Sequence, residues 1–261
     1  GGHKRFLTGY KPKEPAGFIN DNPMVGSVVA RMREHVKAGL PNYIAEVDGG
    51  RQGVDTFSFG AAYLGSTTTP FFVTGDPSAP GFKVENLGLT PDMVDRLGDR
   101  AHLLNGVDRL RRDVDQSGLM DTMDKFSRQA VELLTSDKAR IAFDISREPA
   151  KLRERYGNHR FGQRAIMARR LVEAGASFVT VVMENPGGTM PKNGTYNWDS
   201  HAVNCHLFDD ARWRFPYYDQ AVTALVEDLY ARGLDKKVLL VVTGEFGRTP
   251  RISTVMGSQT G

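Results

Sequence analysis

The clearest indication of the fold is FGQRAIMARRLVEAGASFVTVVM, residues 161–183. Its first part, from Phe161 to Ala174, has the apolar spacing of an amphipathic helix, and Gly175 follows at a position where glycine commonly ends helices. Residues 177–183 are almost continuously apolar, which is typical of a strand that is buried on both faces. The stretch therefore predicts a helix that leads directly into a strand of a parallel sheet.

The same order of elements recurs further along the chain. Residues 216–231 predict a second helix, with Gly233 at its end, and residues 237–243 (KVLLVVT) predict a second buried strand. Alternating helices and apolar strands indicate an α/β fold. We expect a doubly wound, mostly parallel sheet with helices on both faces.

The first half of the chain contains similar elements with longer connections. Asn22 and Pro23 suit the start of a helix, and residues 43–47 predict a short strand. Residues 48–155 predict an insertion rich in loops and helices, with short strands around 55–59 and 71–74. We expect one α/β domain over residues 1–261 that is incomplete at both ends.

The composition argues against several classes of protein. With 40% hydrophobic and 25% charged residues the chain has the make-up of a globular protein. The net charge of +3 is not concentrated in a basic, aromatic-rich run, so a nucleic-acid partner is not expected. No apolar run approaches the roughly 20 residues that span a bilayer. The single cysteine, Cys205, excludes a disulfide framework and a thiolate zinc cage.

The first candidate site follows the strand at residues 177–183. Asp199 and His201 lie two residues apart, so in an extended segment their side chains project to the same side. A carboxylate with an imidazole suits Zn²⁺, Mn²⁺ or iron, and open α/β sheets bind ligands beyond the carboxyl ends of their strands. The pair therefore predicts metal ligands. The alternative is a capping aspartate beside a surface histidine.

The second candidate site is GEFGRTP, residues 244–250, which follows the second predicted strand. Glu245 could bind a metal or act as a base, and Arg248 could hold a phosphate or sulfate oxyanion in a guanidinium fork. The alternative is a turn stabilised by a Glu245–Arg248 pair. Further candidates for contacts with the substrate or with the ligands are His3, His206 and Thr249.

Two other reactive side chains have simpler interpretations. His159 immediately precedes the helix that begins near Phe161, so we expect it to cap this helix. Cys205 has no base partner that its spacing would identify, so it is not assigned as a nucleophile.

Several segments resemble, in the same order, segments of the bacterial "domain of unknown function 1501" proteins. They are YGNHRFGQ (156–163), ARRLVEAG (168–175), FVTV (178–181), WDSH (198–201) and GEFGRTP (244–250). The opening residues and the helix start at Asn22 are also similar, so the resemblance covers most of the chain. This family is grouped with the alkaline phosphatase and sulfatase superfamily.

The resemblance implies a divalent metal centre, Zn²⁺, Mn²⁺ or similar, at the carboxyl edge of a doubly wound sheet. It carries ligand roles onto Asp199, His201 and Glu245. Phe246 stands where the superfamily has a histidine, which removes one imidazole from the site. The resemblance further implies that other parts of the site, including the nucleophile, precede Gly1 or follow Gly261. It also implies export to the periplasm or the extracellular space.

Two functions are compatible with these expectations. One is metal-dependent hydrolysis of phosphate or sulfate esters of small molecules or glycans, in which Arg248 binds the non-bridging oxygens. The other is a non-catalytic binding or scaffold protein that retains a sulfatase-like fold. The sequence identifies neither the substrate nor the oligomeric state.

Overall fold

The computed structural model describes residues 2–14, 16–17, 19–36, 39–48, 58–84, 87, 133, 136–198, 205–244, 247 and 250–251. The α-helices are α1 (Gly2–Thr8), α2 (Val25–Met32), α3 (Asp137–Phe143), α4 (Ala150–Tyr156), α5 (Arg160–Glu173) and α6 (Leu207–Ala231). The β-strands are β1 (Tyr43–Val47), β2 (Phe71–Thr74) and β3 (Phe178–Val181). Short 3-10 helices are Ala62–Leu64, Ser66–Thr68 and Ile145–Arg147.

The strands form a small parallel sheet in the order β2-β1-β3. The central strand β1 is buried along its whole length, and its Ile44 pairs with Phe71 of β2 and Val179 of β3. The strands predicted at residues 43–47 and 71–74 are therefore confirmed, as is the α/β class with parallel strands. The strand predicted at 177–183 is present over Phe178–Val181, and its residues are partly buried. The strand predicted around 55–59 lies mostly outside the described residues, as do residues 88–132 of the predicted insertion.

Apolar cores lie on both faces of the sheet, because successive side chains of a strand point to opposite faces. Ile44 joins the core formed with α3, α4, α5 and α6. Tyr43 instead joins the core formed with α1 and α2. A Cβ atom at Gly26 of α2 would lie 2.6 Å from the ring of Tyr43. Glycine at this position thus lets the α2 backbone pack directly on the aromatic ring.

The segment YGNHRFGQ forms the corner between α4 and α5. His159 caps α5, as predicted, because its Nδ1 accepts a hydrogen bond from the Gly162 backbone N–H at 3.2 Å. Gly157 has a φ of +98°, and a Cβ atom at Gly162 would lie 2.2 Å from the backbone oxygen of Tyr156. Burial lowers the pKa of His159, which favours the neutral imidazole that the cap requires. This segment is therefore a structural corner.

The prediction of a second buried strand at residues 237–243 is wrong. The structure describes all of these residues and assigns them no strand. Their side chains alternate as in a strand: Val238 and Leu240 pack against the helical core, whereas Leu239 is 86% exposed and Val241 67%. The apolar pattern predicts how the side chains alternate, but a strand also needs a hydrogen-bonded neighbour, and no described strand pairs with this segment.

The helix predicted at residues 216–231 begins earlier, at Leu207. Pro216 resembles a helix start but lies inside α6, where it removes one backbone donor. The buried pair between Asp210 and Arg214, one helical turn apart, stabilises the preceding turns. Although α6 has 25 residues, neither it nor another helix in the described part of the chain is apolar enough to cross a membrane.

Candidate functional site at the carboxyl edge of the sheet

An acidic residue follows each of the three strands. Asp48 comes directly after β1, Asp76 follows β2 and Glu184 follows β3. Because the strands are parallel, their carboxyl ends lie at one edge of the sheet, which is where open α/β sheets bind ligands. The side chain of Asp48 is 1% exposed and that of Asp76 is 21% exposed. We define these strand ends, with the side chains around them, as the carboxyl edge.

Arg164 of α5 joins all three strand ends. Its guanidinium donates hydrogen bonds to the backbone oxygens of Val47 at 2.8 Å, Gly75 at 2.9 Å and Val182 at 2.7 Å. It also forms an ion pair with Asp48 at 2.7 Å, and both side chains are only 1% exposed. These partners and the 1% exposure make Arg164 a structural residue of the carboxyl edge.

Arg160, at the start of α5, lies on the more accessible side of the same edge. Its side chain is 20% exposed and forms longer ion pairs, 3.4 Å to Asp48 and 3.2 Å to Asp76. Its backbone N–H donates to the Pro186 backbone oxygen at 3.0 Å, which ties α5 to the loop after β3. Arg160 therefore brings a partly exposed positive charge to a place where two carboxylates already lie.

Glu46, on the central strand, carries an unusual buried carboxyl group. The residue has no exposed surface, and neither side-chain oxygen has a hydrogen-bond partner among the residues that the structure describes. Burial raises the pKa of Glu46 well above its ordinary value, and the charge of Arg164 offsets this effect only in part. Burial thus favours the uncharged acid, since an isolated buried charge has a large desolvation cost.

Arg214 of α6 fixes the loop that follows β3. Its guanidinium donates to the backbone oxygens of Glu184, Thr195 (2.7 Å) and Asn197 (3.0 Å), and the side chain is fully buried. Asp210 completes the arrangement: it pairs with Arg214 at 2.9 Å and accepts a hydrogen bond from the Thr195 N–H at 3.0 Å. The first and last parts of this loop are therefore bound to one point on α6.

Aromatic residues hold the end of the same loop. The Trp198 indole N–H donates to the backbone oxygen of Met183, just beyond β3, and the Arg214 guanidinium stacks 4.7 Å from the Trp198 ring centre. The pKa of Tyr196 is raised by burial and by its hydrogen bond and charge interaction with Asp48. The loop therefore stays in contact with the carboxyl edge up to residue 198.

Most of the sequence-predicted site residues lie outside the described residues: Asp199, His201, Glu245, Arg248 and Thr249. Their assignment as ligands or catalytic groups stays a prediction.

The other two predicted contacts are described. His3 lies in α1, and His206 immediately precedes α6, where its Nδ1 lies 3.3 Å from a carboxylate oxygen of Asp209. The described residues do not contain a group of three or more His, Cys, Asp or Glu side chains that could hold a metal ion. The roles of His3 and His206 towards substrate or ligands also stay predictions.

Sequence reasoning missed the residues that build this edge, which are Asp48, Asp76, Arg160, Arg164 and Arg214. A usable signal existed for the two aspartates, because each follows a strand that the sequence predicts. The arginines gave no such signal. Arg164 lies within a predicted helix, where an arginine resembles an ordinary solvated residue, and Arg160 and Arg214 precede the predicted helix starts.

The fold and its edge define the chain as an α/β protein with a parallel sheet whose carboxyl edge holds ion-paired aspartates. Residues 2–259 match the family model described as "Protein of unknown function (DUF1501)", and the chain belongs to this family. The resemblance to this family is thereby confirmed, and its grouping with the alkaline phosphatase and sulfatase superfamily stays a prediction. No curated protein and no solved structure matches the chain.

Proposed function

We propose that this protein is a metal-dependent hydrolase of phosphate or sulfate esters, built on a doubly wound sheet of the alkaline phosphatase and sulfatase type. The anchored loop after β3 carries the proposal, because it is bound at the carboxyl edge as far as Trp198. Trp198 immediately precedes Asp199 in the sequence, so the loop held at the carboxyl edge leads directly into the proposed ligand-bearing segment.

The chemistry of the proposed donor set suits a divalent metal ion. Asp199 and Glu245 supply carboxylates and His201 supplies an imidazole, a combination that Zn²⁺ and Mn²⁺ accept. Asp48 is a poorer ligand candidate, because Arg164 already neutralises its buried carboxylate. The proposal therefore assigns the metal to Asp199, His201 and Glu245.

In this proposal a bound metal polarises the ester oxygen and stabilises the negative charge that develops on it. Arg248 would hold the non-bridging oxygens of the phosphate or sulfate, for which a planar guanidinium fork is well suited. Glu245 would bind the metal or accept a proton. Arg248 and Glu245 would thus orient the ester, and the proposal assigns no attacking group.

Metal analysis combined with turnover tests the proposal. We expect the purified protein to bind Zn²⁺ or Mn²⁺ and to hydrolyse an aryl phosphate or an aryl sulfate, and we expect Asp199→Ala to lose both properties. Asp137→Ala is the matched control, because Asp137 is an exposed residue of α3 whose side chain is 84% accessible. Absence of both metal and turnover in the unaltered protein would refute the proposal.

A non-catalytic binding protein is the second candidate. The observation that favours it is the ion pairing of Asp48 and Asp76, which occupies both described aspartates of the carboxyl edge with arginines. This candidate predicts a glycan ligand that binds without turnover. A glycan-array signal that persists in Asp199→Ala would support it, and loss of the signal together with loss of metal would favour the hydrolase.

A further inference from the structure

We infer that Arg214 is a positioning residue for the proposed metal site, an inference that rests on the proposed function. Arg214 fixes the loop of residues 184–198, and the proposed ligands begin at the next residue, Asp199. We call Arg214 and Asp210, with the loop groups that they bind, the loop clamp. The clamp does not contact substrate in this scheme. It holds at the carboxyl edge the residues that immediately precede the proposed ligands in the sequence.

The contacts of the clamp are unusual for a helix side chain, because most of them reach the backbone of one loop. Arg214 donates to the oxygens of Glu184, Thr195 and Asn197, and more weakly to that of Tyr196 at 3.5 Å. These acceptors are backbone oxygens, which are present whatever side chains the loop residues carry. The bonds therefore fix the path of the loop backbone. A guanidinium is needed for this, since its rigid fork presents several donors in one plane.

Asp210 makes the clamp reciprocal. It is 2% exposed, binds Arg214 at 2.9 Å and 3.2 Å, and accepts the Thr195 N–H. Thr195 is therefore held through both its N–H and its carbonyl oxygen. A loop bound at both backbone groups of one residue has little freedom to shift, and shifts of about 1 Å are enough to impair a site whose ligands must converge.

A second buried arginine provides the control. Arg169 of α5 is also 1% exposed, but its partners are the side chains of Glu148, Glu173 and Asp228. None of these lies in the loop of residues 184–198. Replacing Arg169 with lysine removes the same guanidinium fork and keeps the same charge, so Arg169→Lys matches Arg214→Lys in chemistry and burial while leaving the loop contacts intact.

The experiment compares the unaltered protein, Arg214→Lys and Arg169→Lys at a temperature where all three are folded. Titration calorimetry measures the affinity for Mn²⁺, and hydrogen–deuterium exchange measures protection of peptides within residues 184–198. Thermal unfolding records the stability of each variant. If Arg214→Lys does not fold, Asp210→Asn is used in its place. This substitution removes the negative charge of Asp210 and keeps the shape of its side chain.

We expect Arg214→Lys to weaken Mn²⁺ binding by about tenfold or more, in line with the loss of residues that orient metal ligands. Exchange in the loop should rise in Arg214→Lys and stay unchanged in Arg169→Lys, even where the two variants lose similar stability. Asp210→Asn should change both quantities in the same direction by a smaller factor.

The outcomes separate this inference from the proposed function. Absence of both Mn²⁺ and Zn²⁺ binding in the unaltered protein would refute the metal site, and the exchange data would still decide whether Arg214 holds the loop. Unchanged loop exchange in Arg214→Lys would overturn the inference in either case. Equal weakening of Mn²⁺ binding by the two lysine variants would also overturn it, because the effect would then reflect general destabilisation.

Discussion

Buried arginines serve two different purposes in two regions of this molecule. At the carboxyl edge, Arg164 and Arg214 bind mainly backbone oxygens of strand ends and of the loop after β3. In the helical layer, by which we mean the packed helices α3 to α6, Arg169 binds carboxylates that belong to other helices and turns. The first arrangement fixes the course of the backbone, whereas the second neutralises charges between packed helices.

This difference determines what each region tolerates. A carboxylate partner can be removed together with its arginine, and apolar residues of similar volume can replace buried ion pairs without loss of stability. A backbone oxygen cannot be removed by mutation, so loss of Arg164 or Arg214 leaves buried acceptors without a donor. The carboxyl edge should therefore be the more sensitive region.

The largest effect is expected for Arg164→Met. This substitution removes the donor to three strand ends and leaves Asp48 as a buried carboxylate without its closest partner. We expect a loss of roughly 3–5 kcal/mol in the free energy of unfolding, measured by urea titration. A loss below about 1 kcal/mol would show that the strand ends do not depend on this guanidinium.

A smaller effect is expected for Glu148→Gln in the helical layer. Burial alone would raise the pKa of Glu148, but hydrogen bonds and charges from Arg169 and Arg170 outweigh burial and lower it. The charged form therefore stabilises the fold above the unfolded-state pKa of about 4.5, and this contribution is lost as the pH falls through the folded-state value. We expect a loss of roughly 2–3 kcal/mol at pH 7.

The pH dependence provides the check on Glu148. Urea titrations at neutral and at strongly acidic pH should give a smaller acid-induced loss of stability in Glu148→Gln than in the unaltered protein. Equal losses in both proteins would mean that Glu148 does not contribute to the acid sensitivity of the fold.

Glu46→Gln should instead raise the free energy of unfolding. The folded-state pKa of Glu46 is raised, so the carboxyl group lowers stability as the pH rises from its unfolded-state value through the folded-state one. At pH 7 the amide avoids this cost, and we expect a gain on the order of 1 kcal/mol in the free energy of unfolding. The gain should shrink near pH 4. Destabilisation at pH 7 would indicate that the charged carboxylate has a required partner.

The smallest effect is expected for Arg140→Gln on the exposed side of α3. Arg140 pairs with Asp137 at 2.9 Å, but the two side chains are 58% and 84% exposed. Solvent screens such pairs, so the change in the free energy of unfolding should stay within about 0.5 kcal/mol. A larger loss, measured by the same urea titration, would indicate that burial does not decide how much an arginine pair contributes to stability.

Sequence reasoning identified those elements whose signal is local. The strand at residues 177–183, its preceding helix and the strands at 43–47 and 71–74 all carry apolar patterns that are sufficient in themselves. The segment 237–243 has the same pattern, but no described strand is hydrogen-bonded to it, and neighbours depend on tertiary arrangement. Pro216 shows a related difficulty. A proline suits a helix start and is costly in a helix interior, yet Pro216 lies inside α6, and the local pattern does not predict the turns that precede it.

The candidate site was less accessible to sequence reasoning. Asp48 and Asp76 follow predicted strands, yet their meaning depends on Arg160 and Arg164, which lie far away in sequence. Arg214 lies before the helix start that Pro216 suggests, so its clamp on the loop was not foreseeable. Asp199, His201 and Glu245 stay predictions that motif chemistry supports.

A single guanidinium gathers three neighbouring strand ends, and this has a mechanical consequence. Spreading or twisting the sheet at that end would have to stretch several short bonds of Arg164 at once, so the strands there move as one stiff platform. Any adjustment that accommodates an incoming molecule must then arise in the loops that follow these strands.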